Sequence, residues 1–384
     1  MFIRLVARNT LRHKLRTALT LLGLLVAILA FGLLSTVVDA WYAGAEGASS
    51  TRLITRSSIS LVFPLPITYR ERLRQIDGVT TVTTSNWFGG VYVTERNFFP
   101  QFAVDGETYF DLYPELVIDE TQYKAFMRDR KGAIVGRKLA DTYGWKIGDV
   151  VPLRGTIFSG NWEFVVRGIY EGREAKTDTS QFFFHWKYLN ESVKKQMPRR
   201  GDTVGLYILG IDAPERAAEI SEIVDAQFRN SLAETLTETE KSFQLGFVAM
   251  TEAIVVAIRI VSYLVIFIIM AVMANTMAMS ARERLPEYAT LKALGFQPWR
   301  VGGLVFGESL FMAMAGGALG IALTYPVAET FGRAMGSLFP VFNVSAGTVA
   351  LQIGCSVLVG MVAGVVPALR AGRVRIAEGL RAVA

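Results

Sequence analysis

Apolar positions along the chain gather into four long runs, residues 17–38, 253–281, 301–328 and 345–369, one near the start and three near the end. Each is long enough to cross a hydrocarbon layer of about 30 Å, which takes about 20 helical residues. Between the first and second runs lies residues 39–236, a stretch with the charge and aromatic content of soluble sequence. The pattern predicts a membrane protein with four spans and one large water-exposed domain.

Within that domain the periodicity alternates between two and about 3.6 residues. A strand is predicted over 52–61, then a short helix opened by Pro66 and Thr68 and running through Ile76, closed by Asp77-Gly78, then a strand over 79–85. A similar unit ends the domain. It has a strand over 203–211 and a helix with Pro214 just inside its start, carrying Ile220, Val224 and Phe228 and breaking at Asn230-Ser231. The two βα units flank a β-rich insertion at about 92–184, read as a subdomain, with turn signals at Asp105-Gly106, Gly148-Asp149 and Gly168. Trp87, Phe98, Phe99, Trp145, Trp162 and Trp186 read as core aromatics; a ligand groove is the sharper alternative.

Thr237-Glu238-Thr239-Glu240 fits a capping box, and no proline or paired glycine follows until after Ala281. One unbroken helix is therefore predicted from a stalk at 237–252 through the second span, about 65 Å at 1.5 Å per residue. Such a rod would carry displacement through the bilayer. Glu252 and Arg259 share one of its faces and are candidates for an interfacial salt bridge or for coupling.

Charge orients the spans. Arg4, Arg8, Arg12, Lys14 and Arg16 precede the first span; Arg282, Arg284, Lys292 and Arg300 lie between the second and third; Arg370, Arg373, Arg375 and Arg381 follow the fourth. The connection at 329–344 offers only Arg333. Under the positive-inside rule both termini (1–16 and 370–384) and segment 282–300 are cytoplasmic, and 39–236 is extracytoplasmic. A cleaved signal peptide is the rival reading of the first run. Its apolar length of about 22 residues, against roughly 7–15 for such peptides, favours a retained anchor. The formal net charge of +6 sits mainly at span ends, so it argues for membrane orientation and not for nucleic-acid binding. The single cysteine, Cys355, lies in the fourth run, and His13 and His185 are the two histidines, so neither a disulfide nor a metal site is expected.

Segment 282–300 contains a short helix opened by Pro286 and stopped by Gly295, with Tyr288, Leu291 and Leu294 expected on one side. A helix this short needs a surface to lie against. Here the chain resembles the FtsX-like permeases of ABC transporters, the MacB, DevC and LolC/LolE group. Arg282 and Arg284 stand for their basic run, and Glu287, Leu291, Lys292, Ala293 and Gly295 match the Glu-Ile-Gly-x-Leu-Lys/Arg-Ala-x-Gly signature. Tyr288 and Ala289 replace the usual Ile-Gly, and Pro286 replaces a polar residue. Further matches are Glu308-Ser309-Leu310 with Gly316-Gly317-Ala318-Leu319-Gly320, and Pro367-Ala368-Leu369-Arg370-Ala371 with Glu378-Gly379-Leu380-Arg381. In the soluble domain, Gly136, Leu139-Ala140, Lys146–Val150 and Phe164–Ile169 resemble the MacB periplasmic core.

The resemblance implies four spanning helices with an α+β extracytoplasmic domain of MacB periplasmic-core type, in a bacterial inner membrane. It implies two cytoplasmic ATPase subunits and a second permease chain, identical or not. A periplasmic adaptor and an outer-membrane channel are the further partners it suggests. Glu287, Tyr288, Leu291, Lys292, Leu294 and Gly295 would then form the coupling helix that docks on the ATPase. Such proteins act as mechanotransmitters, moving the extracytoplasmic domain for efflux without passing substrate through the bundle. Two alternatives share the architecture: a lipoprotein-releasing permease and a non-transporting scaffold that activates a cell-wall hydrolase. A membrane-anchored sensor lies outside the family.

Few polar residues interrupt the spans: Asn275, Glu308, Thr324 and Gln352. They supply no lining for an aqueous path. Gly303/Gly307, Gly316/Gly320 and Gly360/Gly364 stand at close-packing intervals, suited to tight helix contacts within the chain or across a dimer. Glu308 is expected to pair with Arg300, Arg282 or an N-terminal arginine. No G-x-x-x-x-G-K-[ST], H-E-x-x-H or G-x-S-x-G occurs in the sequence. No catalytic, metal or cofactor site is expected, and ATP and Mg²⁺ would be bound by the partner ATPase. The lack of a fused ATPase segment favours a split, DevC-like arrangement.

Overall fold

The computed structural model describes residues 14–174, 176–334, 339 and 341–374. Arg4, Arg8, Arg12, His13, Arg375, Arg381 and the Glu378–Arg381 motif lie outside the described residues. The chain divides into two units, one of Met1–Ala40, Thr251–Ala334 and Phe342–Ala384, the other of Trp41–Met250 with Met335–Val341.

The second unit is built on one long mixed sheet. Its strands, in chain order, are β1 (Arg52–Ser57), β2 (Leu65–Pro66), β3 (Val79–Trp87), β4 (Gly90–Val91), β5 (Gln101–Val104), β6 (Leu116–Val117) and β7 (Gly132–Gly136). There follow β8 (Val150–Gly155), β9 (Gly160–Gly172), β10 (Phe182–His185), β11 (Thr203–Val204), β12 (Leu206–Ile211) and β13 (Thr235–Thr239). The spatial order is β13-β1-β12-β3-β5-β10-β7-β9-β8-β4, with β6 on β9 and a separate β2-β11 pair.

The expected insertion is not a body apart. Strand β3 pairs with β5, so the sheet passes from the βα units straight into residues 92–184. One face carries two apolar clusters, one around Phe88, Phe164, Phe182 and Phe184, the other around Leu53, Tyr207, Ile220 and Phe228. The opposite face carries a single cluster that joins Ile54 and Ile208 of the outer unit to Val104, Ile134, Tyr170 and Phe183 of the insertion. With both faces covered, a central strand can be apolar at every position. Strand β10 is such a case: Phe182 and Phe184 face one side and Phe183 the other. Along β9 the alternation slips at Arg167, where the register against β7 shifts between Ala133 and Ile134. That bulge turns Tyr170 to the face opposite Trp162, Phe164 and Val166.

Of the named aromatics, Phe99, Trp145 and Trp162 are buried, whereas Trp87 and Phe98 are exposed, their rings tilted against each other at 6.1 Å. The core reading therefore fits three of them, and Trp186 is partly buried against both clusters.

The unbroken stalk helix is overturned. Residues 235–239 form β13, paired antiparallel with β1 from Leu53↔Thr239 to Ser57↔Thr235. Three threonines in five residues favour a pleated strand over a helix, because β-branched side chains lose rotamer freedom in a helical turn. Asp225 holds the strand in place, accepting from the Thr235 hydroxyl at 2.8 Å and from the Thr237 amide at 3.0 Å. The capping threonine is Thr239, whose Oγ1 accepts the Ser242 amide at 3.2 Å. A helix then runs Glu240–Met250 and stops at Thr251, whose φ of −115° and ψ of 11° are not helical. The second span opens afresh at Glu252, an acid in a first turn, where the helix dipole favours it.

The other unit holds four helices long and apolar enough to cross a membrane: Lys14–Gly47, Glu252–Glu283, Pro298–Ala334 and Ala346–Arg373, with Leu285–Ala293 as a short helix between the second and third. Its core includes Leu24, Ile28, Phe31, Ile266, Met273, Met312, Ala313 and Val359. Buried polar groups act as ties within it. The Gln352 amide donates to Ile28 O and to Thr324 Oγ1, each at 2.9 Å, and Ser309 Oγ donates to Gly360 O at 2.8 Å. Asp39 of the first span accepts from Ser345 and Thr348 at 2.7 and 2.8 Å, fixing the start of the fourth.

Small residues permit the close approach. A Cβ on Gly316 would stand 2.6 Å from Leu24 Cβ, and one on Gly320 would stand 2.9 Å from Leu25 O. Gly360 and Gly364 meet Ala313 and Ser309 of the third span in the same way, at 2.9 Å each. Gly303 faces open space. Gly320→Val should therefore force the first and third spans apart and lower the midpoint of thermal unfolding in detergent by several degrees, while Gly303→Val leaves it unchanged. Equal midpoints for the two variants would contradict this packing.

Candidate functional site

Two buried ion pairs and one exposed helix tip concentrate the chemistry of the chain. Each is described within its own unit.

In the α+β unit, Arg52 opens β1 with its guanidinium buried. Its Nε donates to Glu240 Oε2 at 2.7 Å, its second terminal nitrogen to Glu115 Oε1 at 2.6 Å, and the other to Leu112 O at 2.8 Å. Glu240 is the first residue of the helix Glu240–Met250 and is buried as well. Its carboxylate also accepts the Tyr113 hydroxyl at 3.0 Å and the Ser49 amide at 2.9 Å, while Arg52 lies 4.1 Å over the Tyr113 ring. Burial pulls the Arg52 guanidinium down, but the hydrogen bond to Glu115 and the charge of Glu240 more than restore it. Burial first, then the Glu240 carboxylate, push the Tyr113 phenol far above its ordinary range. The node thus sets a protonated arginine beside a neutral tyrosine. It ties the first strand, residues 112–115 and the start of the helix that leaves the sheet.

In the helical unit, Arg284 is the residue between the second span and the short helix, ending one and preceding the other. Its guanidinium is buried and donates to Glu308 Oε2 of the third span at 2.8 Å. Glu308 had been expected to meet Arg300, Arg282 or an N-terminal arginine. Arg284 takes that place because the turn at 284 carries its side chain inward, whereas Arg282 and Arg300 are exposed. Burial raises the Tyr288 phenol to about 12, with Arg284 beside it acting in the opposite direction. A neighbouring pair, Arg16 to Glu283, is bidentate at 2.6 and 2.8 Å but about a third exposed. Solvent-exposed pairs contribute about 0–1 kcal/mol, whereas removing one partner of a buried pair costs roughly 3–5 kcal/mol. Arg284–Glu308 is the tie that holds.

Leu285–Ala293 carries Pro286 in its first turn and ends in a Schellman arrangement, Gly295 N–H to Lys292 O and Phe296 N–H to Leu291 O, both at 3.0 Å. Gly295 sits at φ +91°, which explains the glycine. The expected common face of Tyr288, Leu291 and Leu294 does not form. Tyr288 and Ala289 are buried, Leu291 packs partly against the third and fourth spans, and Leu294 points out beyond the helix end with 73% of its surface exposed. Lys292 is also turned inward, its Nζ donating to Gly372 O at 2.6 Å and Val374 O at 2.8 Å, so it caps the fourth span. Glu287, Leu294 and Gly295 remain outward, joined by Phe296 and by Trp299, which is 69% exposed.

Glu252 and Arg259 are both exposed and no ion pair joins them among the described residues; Asn275 is exposed on the second span. The sequence reading missed the Arg52 node, whose partners lie 188 and 63 residues away. An arginine at the head of a strand looks like an ordinary polar terminus. Among the described residues no group of three or more His, Cys, Asp or Glu is placed to hold a metal.

Two family models match the chain, "MacB-like periplasmic core domain" over residues 17–227 and "FtsX-like permease C-terminal" over 259–376. Among curated relatives, the macrolide export ATP-binding/permease protein MacB of Shewanella sp. (strain ANA-3) is 23% identical over 410 residues, covering 96% of this chain and 58% of that protein. MacB of Rhodopseudomonas palustris (strain BisB18) is 25% identical over 405 residues, covering 94% and 56%. For two further Shewanella MacB proteins the chain spans 34% and 41% of the relative's length. The periplasmic region of MacB from Actinobacillus actinomycetemcomitans aligns at 11% identity with a TM-score of 0.39, covering 53% of this chain and 94% of that one.

The two buried ties predict distinct losses. Glu308→Gln should destabilise the helical unit by about 3 kcal/mol, and the double replacement Arg284→Met/Glu308→Leu should recover most of that, since no stranded charge remains. A double-mutant cycle on detergent unfolding, with independent effects, would exclude the pairing. Glu240→Gln should likewise lower the stability of the α+β unit, read by proteolysis of that unit in membranes, with Arg56→Gln as a partly exposed control expected to change it little.

Proposed function

The chain belongs to the family of FtsX-like permeases with a MacB-like periplasmic core, and from that premise we propose that it couples ATP hydrolysis by cytoplasmic ATPase subunits to movement of its α+β domain, driving efflux. In this reading both termini and the segment around Leu285–Ala293 are cytoplasmic, and the α+β domain is extracytoplasmic. Two ATPase subunits and a second permease chain complete the unit, with an extracytoplasmic adaptor receiving the motion. ATP and Mg²⁺ belong to the ATPase.

The observation that carries the proposal is the bracketing of residues 240–284 by buried ion pairs. Glu240 is held by Arg52 at the start of one helix, and Arg284 is held by Glu308 at the end of the next. Displacement applied to the short helix reaches the third span through Arg284–Glu308 and the fourth through Lys292, because both ties are buried or partly buried and short. The outward residues Glu287, Leu294, Phe296 and Trp299 are the surface offered to the ATPase. Tyr288 and Lys292, engaged inward, set its position instead. The scarcity of polar side chains among the spans, and the use of Gln352, Thr324 and Ser309 as ties between helices, fits a bundle that moves without opening a polar path.

Leu294→Glu and Phe296→Glu should abolish co-purification of the ATPase and reduce stimulated ATP hydrolysis at least tenfold, with membrane insertion and yield unchanged. Retention of both would overturn this surface. Cysteine labelling that placed residue 62 on the same side as residue 294 would overturn the topology.

A further inference from the structure

The α+β unit carries an apolar projection that its own core does not use. Between β1 and β2, Ile59, Leu61, Val62 and Phe63 are all exposed, Val62 by 85%. Leu232 in the loop before β13 is fully exposed. Three loops meet here. Ser58 N–H donates to Glu234 O at 2.9 Å, β2 pairs with β11 through Pro66↔Thr203 and Leu65↔Val204, and the Tyr69 hydroxyl donates to Ser231 Oγ at 2.9 Å. Because β1 runs from Arg52 to Ser57 and β13 returns from Thr235 to Thr239, this cluster stands at the end of the strands opposite the Arg52–Glu240 node. It is the end of β1 and β13 away from Gly47 and Glu240, where the flanking helices end and begin.

A patch of exposed aliphatic and aromatic side chains in a soluble domain marks a surface that another molecule covers. The surrounding charge selects the kind of molecule. Arg199 and Arg200 on the loop before β11, and Arg229 on the loop before β13, are exposed and have no carboxylate partner among the described residues. Of the acids nearby among the described residues, Asp202 is paired with Lys194, and Glu234 accepts only the neutral Asn230 amide, which leaves three guanidinium groups against one carboxylate. An apolar tip bordered by an excess of guanidinium groups disfavours a second copy of itself, since a two-fold contact would bring two such excesses together.

We infer that this tip is the docking point for an extracytoplasmic protein that presents an apolar socket rimmed by carboxylates. The inference rests on the reading that the chain works with an adaptor and adds where that adaptor is held. Val62 and Phe63 fill the socket, and Arg199, Arg200 and Arg229 meet the rim, giving orientation and a salt-sensitive on-rate.

The test begins in cells, with the complete complex and a photo-crosslinking Val62→p-benzoylphenylalanine substitution. The protein recovered in the adduct is then purified and titrated against the full chain in zwitterionic nanodiscs. The expected result is an adduct with an extracytoplasmic protein. Its binding weakens with added salt and at least tenfold in Val62→Glu and in Arg199→Glu/Arg200→Glu, whereas Arg199→Lys/Arg200→Lys keeps most of it. An adduct with a second copy or with lipid, no adduct, or binding unmoved by either variant overturns the inference. An adaptor that co-purifies with the complex yet is indifferent to both variants would sink the docking point and leave the adaptor reading intact. An adduct partner that passes the titration but is not an adaptor would do the reverse.

Discussion

A carboxylate withdrawn from water must have its charge met nearby, and Glu240 meets that requirement through Arg52. The arginine is itself held by Glu115 and by the Leu112 carbonyl, and the glutamate by Tyr113 and Ser49, so each charge of the pair has more than one partner. Losing one partner of such a pair costs about 3–5 kcal/mol, a large fraction of the stability of a typical domain. The first strand, the 112–115 segment and the departing helix consequently move as one piece.

The helical unit answers the same problem with less water to help. Arg284 and Glu308 neutralise each other inside the bundle, Lys292 satisfies the last carbonyls of the fourth span, and Asp39 satisfies its first hydroxyls. Each uses a side chain from one helix to complete the terminus or flank of another. Hydrogen bonds between spans are individually modest, so close contact at Gly316, Gly320, Gly360 and Gly364 supplies the remaining cohesion through dispersion.

Much of the architecture was legible in the sequence. The four spans were readable because length and hydropathy decide them almost alone, and the βα units because their periodicity and turn residues agree. What stayed hidden depended on partners distant in the chain. Thr237–Glu240 reads as a capping box locally; pairing with β1 makes its first three residues strand and moves the cap to Thr239. Lys292 looks like a free cation on a helix surface until the fourth span's end arrives beside it. Tyr288 and Leu291, and again Leu291 and Leu294, stand three apart as helical neighbours, but the helix ends at Ala293, so Leu294 follows different geometry. Arg167 shows the limit for strands: a bulge reverses the inward set, and only the register against β7 reveals it.

The interruption at Thr251 has a mechanical meaning. An intact helix resists flexure and twist as well as stretch, because its amide ladder is continuous. Where the ladder is cut, as between Met250 and Glu252, tension still passes along the covalent backbone, but a bending moment does not. A linkage of that kind behaves as a tether with an articulation. In the coupling proposed above, such a joint would carry pull along the chain but not tilt.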